Sequence, residues 1–304
     1  MSCRILITGG SGLLALNWAL AMRGKFEIFL GLHKRNIFVT GVSTAKFSLQ
    51  SVDSIVTYLT SVNPQFVVHT AGITSVEVCE QDQSLAYNVN VQMSQNVAIA
   101  CAKLKIPLVH ISTDHLFSGK KPWTDETAPT SPINVYGMTK ATAELRVLEA
   151  FPDALVIRTN FYGWGTSYRK SFSDLIINSL RVGKSLQLFH DVFYTPIIIS
   201  ELARVAHELV GRGSRGIYNV VGDDRLSKYD FGVAVANEFA LDSSLIEPCS
   251  IVKRTDLVAR PFDMSLSNVK VRNLLGRRLG GVEEQLIELR RQDHVGLAKL
   301  LQIV

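Results

Sequence analysis

The apolar run Arg4-Ile5-Leu6-Ile7-Thr8 passes straight into Gly9-Gly10-Ser11-Gly12, and an amphipathic run to Met22 follows. A strand, a glycine turn and a helix in that order open a fold in which parallel strands alternate with covering helices. Each small residue has a physical task. Gly9 permits the tight turn, Gly12 lets backbone come close to a pyrophosphate, and Ala15 allows close packing of helix on strand. Phosphates would sit on exposed amides at the helix N-terminus, among Gly9, Ser11, Gly12, Leu13 and Leu14.

The rest of the first half repeats the alternation. Phe26–Leu32 reads as a second strand and ends in His33-Lys34-Arg35. A site selective for NAD usually has an acidic residue there to hold the ribose 2′-hydroxyl. A basic end suits the extra 2′-phosphate of NADP(H) instead, which makes NAD(H) the less favoured cofactor. A short strand within Val39–Leu49 and an amphipathic helix over Val52–Ser61 come next. Pro64–Thr70 is a buried strand ending in Ala71-Gly72-Ile73, small enough to leave room for a ligand at the sheet edge. A helix from about Ser84 to Leu104 carries Asn88 and Asn90, and Pro107–Ser112 is a further strand. This order predicts an α/β fold with a doubly wound parallel sheet.

Ser112-Thr113-Asp114 follows that strand, and Tyr136-Gly137-Met138-Thr139-Lys140 follows later. On a helix, Tyr136 and Lys140 project from one face, a turn apart. A free phenol ionises only near pH ~10, too high for ready proton exchange at neutrality. An adjacent ammonium favours the phenolate, so Tyr136 can act as general acid or base while the Thr113 hydroxyl orients a carbonyl. After the strand Ala154–Thr159 the pattern loosens. Helices are expected over Ser171–Arg181 and Glu201–Val210, a strand over Gly216–Val220, and an amphipathic helical segment over Val282–Val304 whose apolar face packs on the same chain. His207 and His294 read as surface residues of helical runs.

Other classes are disfavoured. With 304 residues, 47% hydrophobic and 19% charged, the chain has ample material for a globular core. The net charge of +5 is scattered, so no nucleic-acid stripe is expected. Cys3, Cys79, Cys101 and Cys249 are far apart, which fits free thiols in a reducing compartment; the cytoplasm is the expected location. No segment reads as a membrane span. His spacing gives no metal motif, and Gly10-Ser11-Gly12 lacks the G-x-S-x-G of hydrolases.

Taken together, these residues resemble the extended short-chain dehydrogenase/reductases, and within them the dTDP-4-dehydrorhamnose reductase family. Four stretches carry the likeness: Thr8–Ala15, Thr74–Glu80, Ser112–Gly119 and Ser131–Lys140, with Arg158-Thr159 and Arg260-Pro261 in support. The resemblance implies a Rossmann-type sheet with a smaller, mixed C-terminal substrate-binding lobe. It divides the chain into residues 1–160, with about 190–220 returning to that domain, and a substrate lobe of 161–189 and 221–304. It also implies hydride transfer from the nicotinamide to a nucleotide-linked sugar 4-keto carbon. Thr113, Tyr136 and Lys140 would be catalytic, with Tyr136 the proton donor and Lys140 holding the nicotinamide ribose. The cofactor contacts would be Gly9, Ser11, Gly12, Leu13, Leu14, His33, Lys34, Arg35, Ala71, Gly72 and Ile73, with Tyr136 and Lys140. The nucleotide sugar would meet Thr74, Val76, Thr113, Phe161 and Arg260. A homodimer is plausible by analogy with the superfamily.

Three positions depart from the family. Phe161 stands where Trp is frequent, His115 where Tyr follows the Ser-Thr-Asp run, and Ser48 where an Asp commonly contacts adenine. Two other roles use the same residues. One is an epimerase or dehydratase, disfavoured because Asp114-His115 offers one acid where dehydratases have two. The other is a non-catalytic, NADP-binding regulatory subunit like that of methionine adenosyltransferase.

Overall fold

The computed structural model describes residues 3–304. Six strands, β1 (Arg4–Thr8), β2 (Glu27–Leu32), β3 (Val42–Lys46), β4 (Phe66–His69), β5 (Leu108–Ile111) and β6 (Leu155–Arg158), join Gly216–Asn219 in one sheet. Its order is Gly216–Asn219, β6, β5, β4, β1, β2, β3, and every pairing is parallel. Strand order reverses between β1 and β4. The loops leaving their carboxyl ends therefore part, and a crevice opens there.

Alternation along the strands supplies two cores. Ile5 and Ile7 of β1 point into one, with Ile28, Val68, Val109 and Ile157. Leu6 points to the other face, with Val67, Leu108 and Val156. The first core is covered by α1 (Leu13–Met22), the second by α2 (Val52–Val62) and by helices that follow β4. After β4, Ser75 caps the short α3 (Val76–Gln81). Then α4 (Gln83–Tyr87) runs through a π turn, Asn88–Gln92, into α5 (Met93–Leu104). The single helix expected there thus contains a bulge, which turns Asn90 into the interior, where it is 1% exposed.

The α1 helix departs from the amphipathic expectation. All but one of its residues are buried, Trp18 completely. A helix apolar all round needs cover on every side, and here the second half of the chain provides it. Following β5 and the long α6 (Val135–Ala150), the chain forms α7 (Phe172–Arg181), α8 (Ile199–Gly211) and α9 (Lys228–Glu238). It ends in α10 (Val269–Leu275), α11 (Val282–His294) and α12 (Leu297–Gln302). Leu202, Ala206, Phe231, Leu286 and Leu301 from this half lie in the same apolar cluster as α1.

His207 is corrected by the same packing. Its ring lies 4.6 Å from Phe26 and 5.0 Å from Phe66, centroid to centroid, and its Nε2 accepts from Trp18 Nε1 at 3.1 Å. His294 is exposed as expected. Among the described residues, no helix is long and apolar enough to cross a membrane, and no group of His, Cys, Asp and Glu is placed to hold a metal ion.

Candidate active site

Three loops meet at the crevice. Gly9 has φ +68°, and a Cβ there would lie 2.8 Å from the Ala71 Cα, so the turns after β1 and β4 touch backbone to backbone. Gly12 N donates to Gly9 O at 2.7 Å and starts α1, whose first turn has no side-chain cap and no acidic residue. Its amides face the crevice with the positive end of the helix dipole behind them. His33, Lys34 and Arg35 leave the end of β2 exposed to solvent. Ser48, also exposed, accepts from Gln50 N.

Each predicted catalytic residue lies on this rim. Thr113 follows β5 and is 5% exposed; its Oγ1 donates to Asp114 Oδ1 at 3.2 Å and accepts from His115 N at 3.3 Å. Tyr136 and Lys140 enter on the first turns of α6. Asn134 caps that helix by accepting from Gly137 N, and its amide nitrogen donates to Ala259 O at 2.9 Å. A Cβ on Gly137 would lie 2.3 Å from His115 O, so only glycine lets α6 seat against the Thr113 loop. Asn90 fastens the opposite side: it bonds both the N–H and the C=O of Ile73 and donates to Thr139 Oγ1 at 3.0 Å. No motif in the sequence marks that role.

The electrostatics differ from the simple tyrosine–lysine pair. Burial raises the Tyr136 phenol above its ordinary value. A hydrogen bond with Thr113 and the Arg169 cation oppose that rise, while Asp114 adds to it. Lys140 Nζ instead donates to Ile111 O at 2.7 Å; burial lowers it to about 8, and Glu144 pulls the other way. The expected lowering of Tyr136 by Lys140 is therefore not what this geometry produces. A phenol held protonated is a proton donor in waiting, and the lysine is a buried cation at the floor of the crevice.

The predicted substrate contacts separate into groups. Thr74 accepts from Arg169 Nη2, and Arg260 donates to Glu77 on α3. Val76 is buried in a small cluster with Tyr136, Val135 and Cys79. Phe161 pairs in a two-residue ladder with Ile197 and packs on the main core. Arg158, expected only as support for the family likeness, is bound to Glu144. Sequence reasoning missed Tyr168 and Arg169: Tyr168 Oη donates to Ser11 O at 2.7 Å, and the Arg35 guanidinium stacks 3.7 Å over its ring. It also missed Lys228 and Tyr194, which lie together near Asp114. The S-x-x-D capping box at Ser227 could have revealed the helix that carries Lys228.

Comparison with known proteins identifies the family and the fold. The family model described as RmlD substrate binding domain matches residues 3–293. A probable low-salt glycan biosynthesis reductase of Haloferax volcanii is 27% identical, covering 93% of this chain and 96% of the relative. A dTDP-4-dehydrorhamnose reductase of Aggregatibacter actinomycetemcomitans is 28% identical, covering 90% and 93%. The methionine adenosyltransferase 2 subunit beta of Xenopus laevis is 27% identical, covering 91% and 84%. Among solved structures, a dTDP-4-dehydrorhamnose reductase from Bacillus anthracis in complex with NADP superposes with a TM-score of 0.84. It is 23% identical and covers 96% of this chain and all of that one, a likeness of fold.

Proposed function

Because the chain belongs to the RmlD substrate binding domain family, among the extended short-chain dehydrogenase/reductases, we propose that it is an NADP(H)-dependent reductase of a nucleotide-linked 4-keto-deoxysugar. The observation that carries this reading is the closeness of Thr113 to Tyr136, with the Lys140 ammonium on the Ile111 carbonyl, at the carboxyl end of β5. The residues fit a phosphorylated dinucleotide: the uncapped start of α1 at Leu13 and Leu14, a glycine-only contact between Gly9 and Ala71, and the exposed basic group His33 to Arg35. When bound, NADPH supplies the hydride.

The protein's own part is orientation and a proton. Thr113 Oγ1 would bond the sugar carbonyl oxygen. Tyr136 Oη, kept protonated by burial, would give its proton to that oxygen as negative charge develops on it. The Arg169 cation would favour the phenolate left behind, and the Lys140 ammonium would bond the ribose of the cofactor. Residues 1–160 with about 190–220 would form the cofactor domain, and 161–189 with 221–304 the substrate lobe.

NADPH oxidation over a panel of nucleotide 4-keto-6-deoxysugars tests this, with cofactor binding followed separately by fluorescence. Wild type should turn over at least one sugar, and Tyr136→Phe should lose about 100- to 10,000-fold in rate while still binding NADPH. Tight binding with no turnover on any sugar would favour a regulatory role, the reading that the likeness to methionine adenosyltransferase subunit beta supports.

A further inference from the structure

A second group of polar side chains lies near Asp114, the residue that follows Thr113. Lys228 is the first residue of α9, and its position is rigid. Ser227 and Asp230 form a capping box, Lys228 N donates to Val192 O at 3.0 Å, and Leu226-Ser227 pairs antiparallel with Phe193-Tyr194. The same pairing fixes Tyr194 beneath it: the Lys228 ammonium lies 3.2 Å from the centroid of the Tyr194 ring and 5.1 Å from that of Phe172.

The donors and acceptors of this group are incompletely used. Among the described residues, the Lys228 ammonium has a ring face and the nearby Asp114 charge, and bonds no oxygen. Tyr194 is 2% exposed and its Oη has no hydrogen-bond partner in the protein; His115 Nδ1 has none either. Unmet polar groups of this kind are costly unless a ligand uses them. Asp114 links this group to Thr113. It accepts from Asn160 Nδ2 at 2.5 Å and from Thr113 Oγ1, and its Oδ1 lies 4.0 Å from His115 Nε2.

That carboxylate also decides what the group can hold. An anionic ligand group would gain from Lys228 and lose to Asp114. A hydroxyl, neutral and both donor and acceptor, satisfies Lys228 Nζ and Tyr194 Oη together. Building on the reductase reading above, we propose that Lys228 and Tyr194 bind the hydroxyl on the sugar carbon adjoining the carbonyl, and so select hydroxylated over deoxygenated substrates at that carbon. His115 closes the site from the side, its ring 5.4 Å from that of Tyr136 in an edge-on arrangement.

The test compares a nucleotide 4-keto-6-deoxyhexose bearing the adjoining 3-hydroxyl with its 3-deoxy analogue. Wild type should prefer the hydroxylated sugar by about 10- to 100-fold in kcat/KM, the range for a charge-assisted bond to a substrate hydroxyl. Lys228→Met keeps the aliphatic stem over Tyr194; it should lose that preference by slowing the hydroxylated sugar while leaving the deoxy sugar and NADPH binding unchanged. A merely structural lesion would slow both sugars alike. Tyr194→Phe keeps the ring face and should narrow the same ratio, so it decides the matter if Lys228→Met does not fold. An unchanged ratio in the folded variants overturns the assignment alone. Wild type that binds NADPH and reduces no sugar overturns the reductase reading and this assignment with it.

Discussion

Glu144 and Arg158 are each 3% exposed by side chain and form a fork: Nε reaches both carboxylate oxygens at 3.0 and 3.2 Å, and Nη2 reaches Oε2 at 2.7 Å. Removing one partner strands the other charge in the interior. Glu144→Ala should therefore cost about 3–5 kcal/mol, a large share of the roughly 5–15 kcal/mol that holds a domain folded. Replacing both partners, as in Glu144→Leu/Arg158→Met, removes the stranded charge and should be close to neutral. Glu144 also lies one turn from Lys140 and favours its ammonium form. Lys140 stands at about 8, so Glu144→Gln should lower it further, and the alkaline limb of activity should move toward lower pH. Urea unfolding of Glu144→Ala, of Glu144→Leu and Arg158→Met singly, and of the double, followed by fluorescence and circular dichroism, measures the cost and the coupling. A cost below about 1 kcal/mol for Glu144→Ala, or a double variant no more stable than the singles, would refute the argument from the stranded charge. An alkaline limb that stays in place in Glu144→Gln would refute the link to Lys140.

Two further outcomes rest on local geometry. Gly9→Ala would force an L-residue to φ +68° with its Cβ against the Ala71 backbone, so NADPH affinity, read by fluorescence titration, should fall by at least about tenfold while the sheet persists in circular dichroism. Burial lowers His207 to about 4 against an ordinary 6.5. Below 6.5 the unfolded chain takes up a proton that the folded protein refuses, so the stability due to neutral His207 is complete above 6.5 and declines as pH falls toward 4. By pH 5 the loss is about 2 kcal/mol, and His207→Gln, which keeps an acceptor for Trp18, should lose less stability between pH 7 and 5 than wild type in thermal melts.

What could be read from the sequence follows the range of the interactions involved. The strands of the sheet and the glycine turn are local: Ile5 and Ile7 alternate with Leu6, and Gly9 needs its positive φ whatever lies beyond it. The spacing of Tyr136 and Lys140 is local as well, since one helix sets both. The charge relation between them is not. Lys140 bonds a carbonyl of β5, and the cation acting on Tyr136 is Arg169, from a loop that follows β6. The helix α1 shows the same limit in another form. Its sequence marks a helix, yet how many of its sides are covered depends on Leu202, Ala206 and Leu286 far along the chain.

On the reductase reading proposed above, the same division by range would place substrate choice in the second half of the chain. Thr113, Tyr136 and Lys140 stand on the sheet and the helix that follows it, where register and helical spacing leave little freedom. Lys228 opens α9, and Tyr194, Arg169 and Arg260 stand on short ladders and loops of the second half of the chain. A change in one of those segments alters which polar groups face the sugar while the Thr113–Tyr136 arrangement stays where β5 and α6 hold it. One rigid half can thus keep the chemistry constant while the other varies the substrate. On the reading proposed above, the lysine balanced by Asp114 and the unpartnered Tyr194 hydroxyl would suit a neutral, hydroxyl-bearing sugar better than a charged one.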